Sequence, residues 1–215
     1  MLKLAIVIVN YKTPKLIVDC LDSLLPEIQG LDAKVLVIDN ASQDDSCERI
    51  QCWLDKQHTS EQIELIASAE NRGFSAGNNY GINHIQAEYY LLLNSDTLVR
   101  EGAIKLLLSA AVEDDSAGLI SPKLEWPDET PQESTFRFHT PLSELISSAN
   151  TGVITQLLHN FNVPHPVPLK ADFYDWTSFA CVLIRSEVFK DIGLMDDGYF
   201  MYFEDVFFAY QAQKS

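Results

Sequence analysis

Short apolar runs that end in polar residues recur through the first half of the chain. Four such runs, at residues 4–9, 34–38, 63–67 and 89–93, are each five or six residues long. Runs of this length are typical of strands buried on both faces, and they are too short to span a membrane. They therefore predict four strands of one buried sheet.

Between these runs, apolar residues recur at the spacing of a helix. Thr13 and Pro14 form a typical helix start, and Pro26 is predicted to end that helix. The further helices are expected at residues 47–54, from about residue 75, and over 103–112. Strand and helix alternate, which predicts an α/β protein, a three-layer α/β/α fold with a mostly parallel central sheet.

The pattern of apolar and polar residues changes after residue 121. Residues 122–170 are rich in proline and acidic residues, with a short helical pattern near 142–158. A stretch of this length inside a compact domain is usually a functional loop. A strand at 179–184 and a helix at 186–192 follow it. We therefore expect one compact domain with two halves, residues 1–121 and 122–215.

The net charge and the spacing of the cysteines restrict the classes of function that are expected for this sequence. A net charge of −16 argues against non-specific binding to nucleic acid or to anionic membranes. The four cysteines, Cys20, Cys47, Cys52 and Cys181, show no C-x-x-C spacing and are interpreted as reduced core residues of a cytoplasmic protein. The first apolar run is too short for a signal peptide.

Polar residues follow three of the predicted strands. They are Asn10-Tyr11, Asp39-Asn40 and Asn94-Ser95-Asp96. The carboxyl ends of parallel strands meet at one edge of the sheet, where open α/β sheets bind ligands. Asp96 is a candidate ligand for a divalent cation that bridges substrate phosphates, and Asp39 a candidate acceptor for a base or ribose. Turns and helix caps are the alternative for both.

Glu204 and Asp205 form the other informative site, because they follow an aromatic run at 199–203. Adjacent carboxylates beside apolar rings can have a raised pKa, as a general base requires. The alternative is an acidic helix N-terminus, which the helix dipole favours.

Gly73, Ser75 and Gly77 match the G-x-S-x-G pattern of a serine hydrolase. That motif needs a strand running directly into the serine, whereas the predicted strand ends at Ala67. We therefore expect Ser75 near a helix start. The five histidines lack paired zinc-ligand spacing, and no dinucleotide-binding or P-loop motif occurs.

Five motifs together resemble the family 2 glycosyltransferases, and in particular their rhamnosyltransferase-like branch. In chain order they are Val7-Ile8-Val9-Asn10-Tyr11, Val37-Ile38-Asp39-Asn40-Ala41-Ser42, Glu70-Asn71-Arg72-Gly73-Phe74, Leu93-Asn94-Ser95-Asp96 and Phe200-Met201-Tyr202-Phe203-Glu204-Asp205. The resemblance covers nearly the whole chain. It implies a GT-A fold, a nucleoside-diphosphate sugar donor, a divalent metal (Mg²⁺ or Mn²⁺) and an inverting transfer.

The same resemblance assigns roles to individual residues. Asp96 would bind the metal, and Asp205, with Glu204 beside it, would be the base that deprotonates the acceptor hydroxyl. The donor would lie among Val9, Asn10, Tyr11, Asp39, Asn40, Asn71, Arg72, Asn78, Asn94 and Ser95. A UDP- or dTDP-linked donor and a glycan or lipid-linked acceptor are expected, in the cytoplasm or at the inner face of the membrane. Peripheral association with a membrane through the acceptor and a homodimer are compatible with this assignment.

The chain departs from the family pattern in three places. Asn94 replaces the first aspartate of the metal motif, while Phe207-Phe208 and Gln211 stand where an acid and an arginine are usual. The helices that normally follow are also absent from this sequence. We therefore expect nucleotide binding with poor sugar transfer. The rival is a nucleotide-sugar-binding protein without catalysis, and a serine hydrolase is third.

Overall fold

The computed structural model describes residues 1–57, 61–144, 163–168 and 170–215. Its first half alternates strand and helix as the pattern predicts. The elements are β1 Leu2–Asn10, α1 Pro14–Ile28, β2 Ala33–Asp39, α2 Ser46–Gln57, β3 Ile63–Ala67, α3 Gly73–His84, β4 Ala87–Asn94 and α4 Ala103–Glu113. The second half adds β5 Leu119–Ile120, β6 Thr135–Phe136, β7 Trp176–Thr177, β8 Cys181–Arg185, α5 Ser186–Ile192 and α6 Glu204–Ala212.

Six of the strands form one sheet in the order β3-β2-β1-β4-β8-β5. The first four strands pair in parallel, whereas β8 runs antiparallel to both of its neighbours. The predicted α/β fold with a mostly parallel sheet is confirmed. The remaining strands, β6 and β7, pair as a separate antiparallel ribbon.

Both faces of the sheet are covered, which explains why the strands read as continuous apolar runs. Along β1, Leu4, Ile6 and Ile8 pack into one core with α1, α2 and α4, while Ala5 and Val7 pack into a second core. That second core includes residues of α3, α5 and α6. The helices on the two faces and the sheet between them make the three layers.

Two expectations about individual residues were wrong. Pro26 lies inside α1, which continues to Ile28. A proline near the end of a helix removes a single backbone bond, so the chain completes its last turn. Cys52 is exposed and Cys47 is half-buried, because both lie on α2, which has a solvent face; only Cys20 and Cys181 belong to the core. All four cysteines are free thiols, as expected.

The middle of the chain has little regular structure where it is described. Phe136 of β6 stacks on Trp176 of β7 with their ring centroids 4.2 Å apart, and Glu125 and Pro131 form an isolated bridge. Most of the helical pattern expected near 142–158 lies outside the described residues. Among the residues that are described, no helix is both long enough and apolar enough to span a membrane.

Candidate active site

The carboxyl ends of three neighbouring strands meet at one edge of the sheet. Val9 of β1 pairs with Ile38 of β2 on one side and with Asn94 of β4 on the other, so the three strands end level. We call this edge, formed by residues 9–13, 39–42 and 94–96, the donor edge. The convergence predicted from the sequence is therefore confirmed.

Hydrogen bonds join the side chains of the donor edge into a chain. Ser95 and Thr13 place their hydroxyl oxygens 3.0 Å apart. The Thr13 hydroxyl donates to Asn10 Oδ1 over 2.7 Å, and Asn10 Nδ2 donates to Asp39 Oδ1 over 2.8 Å. Ser42 donates to Asp39 from both its backbone N–H and its hydroxyl. A network of this kind fixes the relative positions of the strand ends.

Asp39 is an integral part of this network. Its side chain is buried, with the residue only 3% exposed, and it forms the turn to Ser42 that was the alternative interpretation. Burial and the neighbouring Asp39 carboxylate raise the pKa of the Cys47 thiol to about 11. A carboxylate offers about four acceptor positions, of which Asn10 and Ser42 occupy three. One position, next to a weak thiol donor, remains for a ligand.

A second cluster lies where β2 and β3 end. Asn40 Nδ2 donates to Gly73 O over 2.8 Å and to Asn71 Oδ1 over 3.2 Å. Asn71 Oδ1 also accepts the Gly73 N–H at 2.9 Å, so both amides hold the start of α3. Arg72 is exposed and donates to Asp197 over 2.8 Å. A cavity of about 240 Å³ opens here, lined by Asn40, Ala67, Ser68, Ala69, Glu70, Arg72, Ala76, Gly77 and Tyr80.

The other expected donor residues differ in accessibility. Tyr11 is exposed, and Lys12 Nζ lies 5.1 Å from the centre of its ring. Val9 and Asn94 are half-buried at the strand ends. Asn78, in contrast, is buried in α3 and donates to Phe74 O over 3.1 Å. This bond ties the Asn78 amide to its own helix, and a contact of Asn78 with the donor stays a prediction.

Asp96 lies just beyond β4 and is exposed. The described residues include no group of three histidines, cysteines or acids that could enclose a metal ion. Mg²⁺ and similar hard cations need no such group, since they commonly bind one or two carboxylates and complete their shell with water and substrate phosphates. A single accessible carboxylate beside the Ser95 hydroxyl fits that kind of site.

Glu204 and Asp205 open α6 and are the first acids of its first turn. Glu204 is only 7% exposed, and its Oε2 has no hydrogen-bond partner among the residues that the structure describes. Burial, followed by the charge of Asp205, raises the pKa of Glu204; burial likewise raises the pKa of Asp205. The direction of the pKa change is the expected one, but the aromatic run 199–203 from which it was expected is exposed. Both acids lie at a helix N-terminus, which was the alternative interpretation.

The segment 195–203, which leads into Glu204, crosses the start of α3. Phe74 N donates to Phe200 O over 3.1 Å. A Cβ at Gly73 would lie 2.2 Å from the same oxygen, and Gly73 has a φ of +89°. Tyr202 and Phe203 also have positive φ, 70° and 69°. This crossing is not predicted from the sequence, in which Gly73 is the one residue that could have indicated it.

The serine motif carries no nucleophile. Ser75 is the third residue of α3, near the helix start as expected, and is fully buried; within the described part of the chain its Oγ has no partner. β3 ends at Ala67, well before it.

Comparison with known proteins decides the family. The family model described as glycosyl transferase family 2 matches residues 5–207. The chain belongs to this family. The hexosyltransferase Agl10 of low-salt glycan biosynthesis from Haloferax volcanii is 28% identical and covers 98% of the chain, while the chain covers 62% of that protein. Glycosyltransferase GlyG of Streptococcus pneumoniae is 23% identical over 53% of the chain and 36% of its own length.

Solved structures of GT-A glycosyltransferases share the fold of this family 2 chain. The mannosyltransferase PcManGT of Pyrobaculum calidifontis, solved with GDP-Man and Mn²⁺, matches with a TM-score of 0.66 at 15% identity. It covers 98% of the chain, which spans 52% of it. TarS 1-349 of S. aureus matches with a TM-score of 0.62 at 17% identity, over 98% of the chain and 55% of TarS 1-349. The chain thus spans about half the length of each of these two solved chains, 62% of Agl10 and 36% of GlyG.

Proposed function

We propose that this family 2 glycosyltransferase chain transfers a sugar from a nucleoside-diphosphate donor to an acceptor hydroxyl with inversion. The observation that carries the proposal is the arrangement of two different polar sites around α3. The donor edge holds accessible Asp96 among fixed hydrogen-bonding groups. Segment 195–203, which crosses the start of α3, leads into α6, and α6 carries Asp205, a carboxylate whose pKa is raised by burial.

Asp205 is the proposed general base. It takes the proton of the acceptor hydroxyl as that oxygen attacks the anomeric carbon, and the bond from this carbon to the diphosphate breaks on the opposite face. A base with a raised pKa holds the abstracted proton better at neutral pH. Glu204 is adjacent to Asp205 and buried, and the charge of Asp205 contributes to the raised pKa of Glu204.

Asp96 and Ser95 are the residues that would hold a divalent metal, with the donor diphosphate completing its shell. When bound, such a metal supplies positive charge to the leaving diphosphate. PcManGT, a structural neighbour, was solved with Mn²⁺. Arg72 supplies a positively charged side chain at the cavity of about 240 Å³. To contact the diphosphate, it would leave its partner Asp197.

Asp39 supports a preference for uridine or thymidine diphosphates. Its fourth acceptor position lies next to the Cys47 thiol, a weak donor that a pyrimidine N3–H would replace. Losing such a bond to a buried acceptor costs about 1–3 kcal/mol. The acceptor is proposed to be a glycan or a lipid-linked sugar in surface-glycan synthesis, used at the inner face of the membrane.

The test is a thermal-shift and calorimetry screen of nucleoside diphosphates with and without Mg²⁺ or Mn²⁺, followed by transfer assays with the best donor. UDP or dTDP should bind more tightly than GDP or ADP, and binding should depend on metal. A purine preference would contradict the role of Asp39. Failure of every nucleoside diphosphate to bind would contradict the proposed function.

The departures in α6 favour one rival, a protein that binds the donor without transferring the sugar. Phe208, in place of the usual polar residues, is 1% exposed and belongs to the core with Phe179 and Phe189. This packing serves stability and not catalysis. The rival is favoured if the protein binds the donor but neither transfers the sugar nor hydrolyses the donor, when it is assayed with a set of free and lipid-linked sugar acceptors.

A further inference from the structure

Asn79 makes a pair of hydrogen bonds that no part of the proposed chemistry uses. Its Nδ2 donates to Met195 O over 2.7 Å, and its Oδ1 accepts the Met195 N–H at 3.1 Å. Both polar groups of one backbone residue are thus satisfied by one side chain. Met195 itself is 3% exposed and packs in the core on this face of the sheet.

α3, which carries Asn79, lies unusually close to the sheet. A Cβ at Gly77 would be 3.0 Å from Val9 side-chain atoms, and one at Gly81 would be 2.5 Å from Val7 Cγ1. Two glycines one turn apart therefore let the helix rest directly on β1, the strand that ends in the donor edge. The position of Asn79 is fixed relative to that edge.

From α3, three attachments hold segment 195–203. Asn79 binds Met195 at its start, Arg72 pairs with Asp197, and Phe74 N binds Phe200 O. Of the three, the Arg72 contact is the exposed one. It is also the one that a donor diphosphate would compete for under the proposed function.

The far end of the segment is strained. Tyr202 and Phe203 both have left-handed backbones, and Phe203 is the N-cap of α6. For residues other than glycine this conformation costs about 1–2 kcal/mol each and persists only where the surroundings fix it. Asp205 follows two residues later. Its orientation thus depends on how firmly the segment is attached to α3.

We propose that Asn79 is a positioning residue for sugar transfer: through its two bonds to Met195 it holds segment 195–203 so that Asp205 faces the donor edge. The inference rests on the proposed function, in which Asp205 is the base. It links the donor edge and Asp205 through α3, because this helix packs on β1 and also holds segment 195–203, which leads to Asp205.

The test compares Asn79→Ala and Asn79→Asp with Asn83→Ala. Asn83 has the same side chain one turn further along α3 and is exposed, so it is the matched control. Asn79→Asp keeps the size of the side chain and its acceptor oxygen, but it removes the donor to Met195 O and adds a negative charge there. Thermal unfolding and circular dichroism establish that each variant folds.

Two readouts separate positioning from a general loss of stability. For both Asn79 variants we expect kcat for transfer to fall on the order of 100-fold, the effect of a misplaced catalytic group, with donor affinity unchanged. Hydrogen–deuterium exchange should become faster across residues 196–206, while β1 and β4 stay protected. Asn83→Ala should match the parent in both measurements.

The opposite results are distinguishable. A kcat for both Asn79 variants equal to that of Asn83→Ala would overturn the inference, and so would an unchanged exchange pattern across 196–206. If the parent protein transfers no sugar, the proposed function fails, and the exchange measurement alone decides whether Asn79 fixes the segment that carries Asp205.

Discussion

The donor edge and the region of Asp205 are built in opposite ways. At the donor edge, polar side chains satisfy one another in a buried network between adjacent strands, as Asn10 and Asp39 do. Around Asp205, a buried carboxylate oxygen of Glu204 has no partner among the described residues. Left-handed backbones occur in both regions, at Lys12 and Ala41 as well as at Tyr202 and Phe203, so they do not distinguish the two. The difference is the buried acid without a partner, a feature typical of groups that react.

This contrast predicts different outcomes for mutations on the two sides. Changes at the donor edge should weaken binding of the nucleotide. Changes around Asp205 should leave that binding intact and reduce turnover. The predictions below, from the largest expected effect to the smallest, test whether the two regions are separable in this way.

The largest effect is expected for Asp205→Asn. Replacing a general base by an amide that cannot take the proton should lower kcat by about 10²- to 10⁴-fold. In the parent, kcat should rise with pH through the raised pKa of Asp205, because only the deprotonated carboxylate accepts a proton. The measurement is transfer against pH with the best-binding donor. Calorimetry should give the same donor affinity for variant and parent; transfer that survives the substitution would refute Asp205 as the base.

Next in size is Asp96→Ala, on the donor side. Loss of the one accessible carboxylate at the end of β4 should reduce metal-dependent diphosphate affinity on the order of 100-fold, about 2.8 kcal/mol. A nucleoside without phosphates should bind as before. Asp115→Ala, at an exposed site beyond α4, is the control. Equal diphosphate affinity in Asp96→Ala and the parent would remove Asp96 from the metal site.

The donor edge was predictable from the sequence because it depends on two local rules. Apolar runs gave the strands, and parallel pairing placed the polar groups that follow them on one edge, so that Asn10, Asp39 and Ser95 were found together. The partners of Asp39 within the protein were not predictable, since the same sequence is compatible with a free carboxylate and with a hydrogen-bonded one.

The surroundings of Asp205 were much less predictable. The bond from Asn79 to Met195 spans 116 residues, and no local pattern in either segment indicates it. The direction of β8 was equally hidden, because an apolar run does not say whether a strand pairs parallel or antiparallel. Burial of Glu204 was foreseeable only from the aromatic run beside it, which gives the sign of the pKa change and not the contacts that cause it.

A third prediction tests the point where the two regions meet. Gly73→Ala places a methyl group 2.2 Å from Phe200 O in a backbone with φ of +89°. Gly30→Ala also forces a residue into positive φ, +75°, but has open space around it. Both variants share the backbone cost, so the additional loss at Gly73 reports the crossing of segment 195–203. We expect it to be about 1–3 kcal/mol in the free energy of unfolding from denaturant titrations. Equal losses would mean that the crossing does not form in solution.

The smallest effect is expected for Glu204→Gln, and its sign depends on pH. Burial and Asp205 raise the pKa of Glu204 in the folded state. A carboxyl with a raised folded pKa contributes stability that is complete below its unfolded pKa and is lost as pH rises through the folded value. Glutamine is neutral throughout, so the substitution avoids this loss. The unfolding free energy of the variant relative to the parent should therefore be more favourable at pH 7.5 than at pH 4, by about 1 kcal/mol or less.

Glu113→Gln, at the exposed end of α4, is the control and should show no comparable dependence on pH. Any cost of an unpaired amide at this position is the same at both pH values and cancels in the difference. A relative stability that is identical at the two pH values would show that Glu204 is solvated in the folded protein, and the contrast between a satisfied donor edge and an unsatisfied acid beside the base would then disappear.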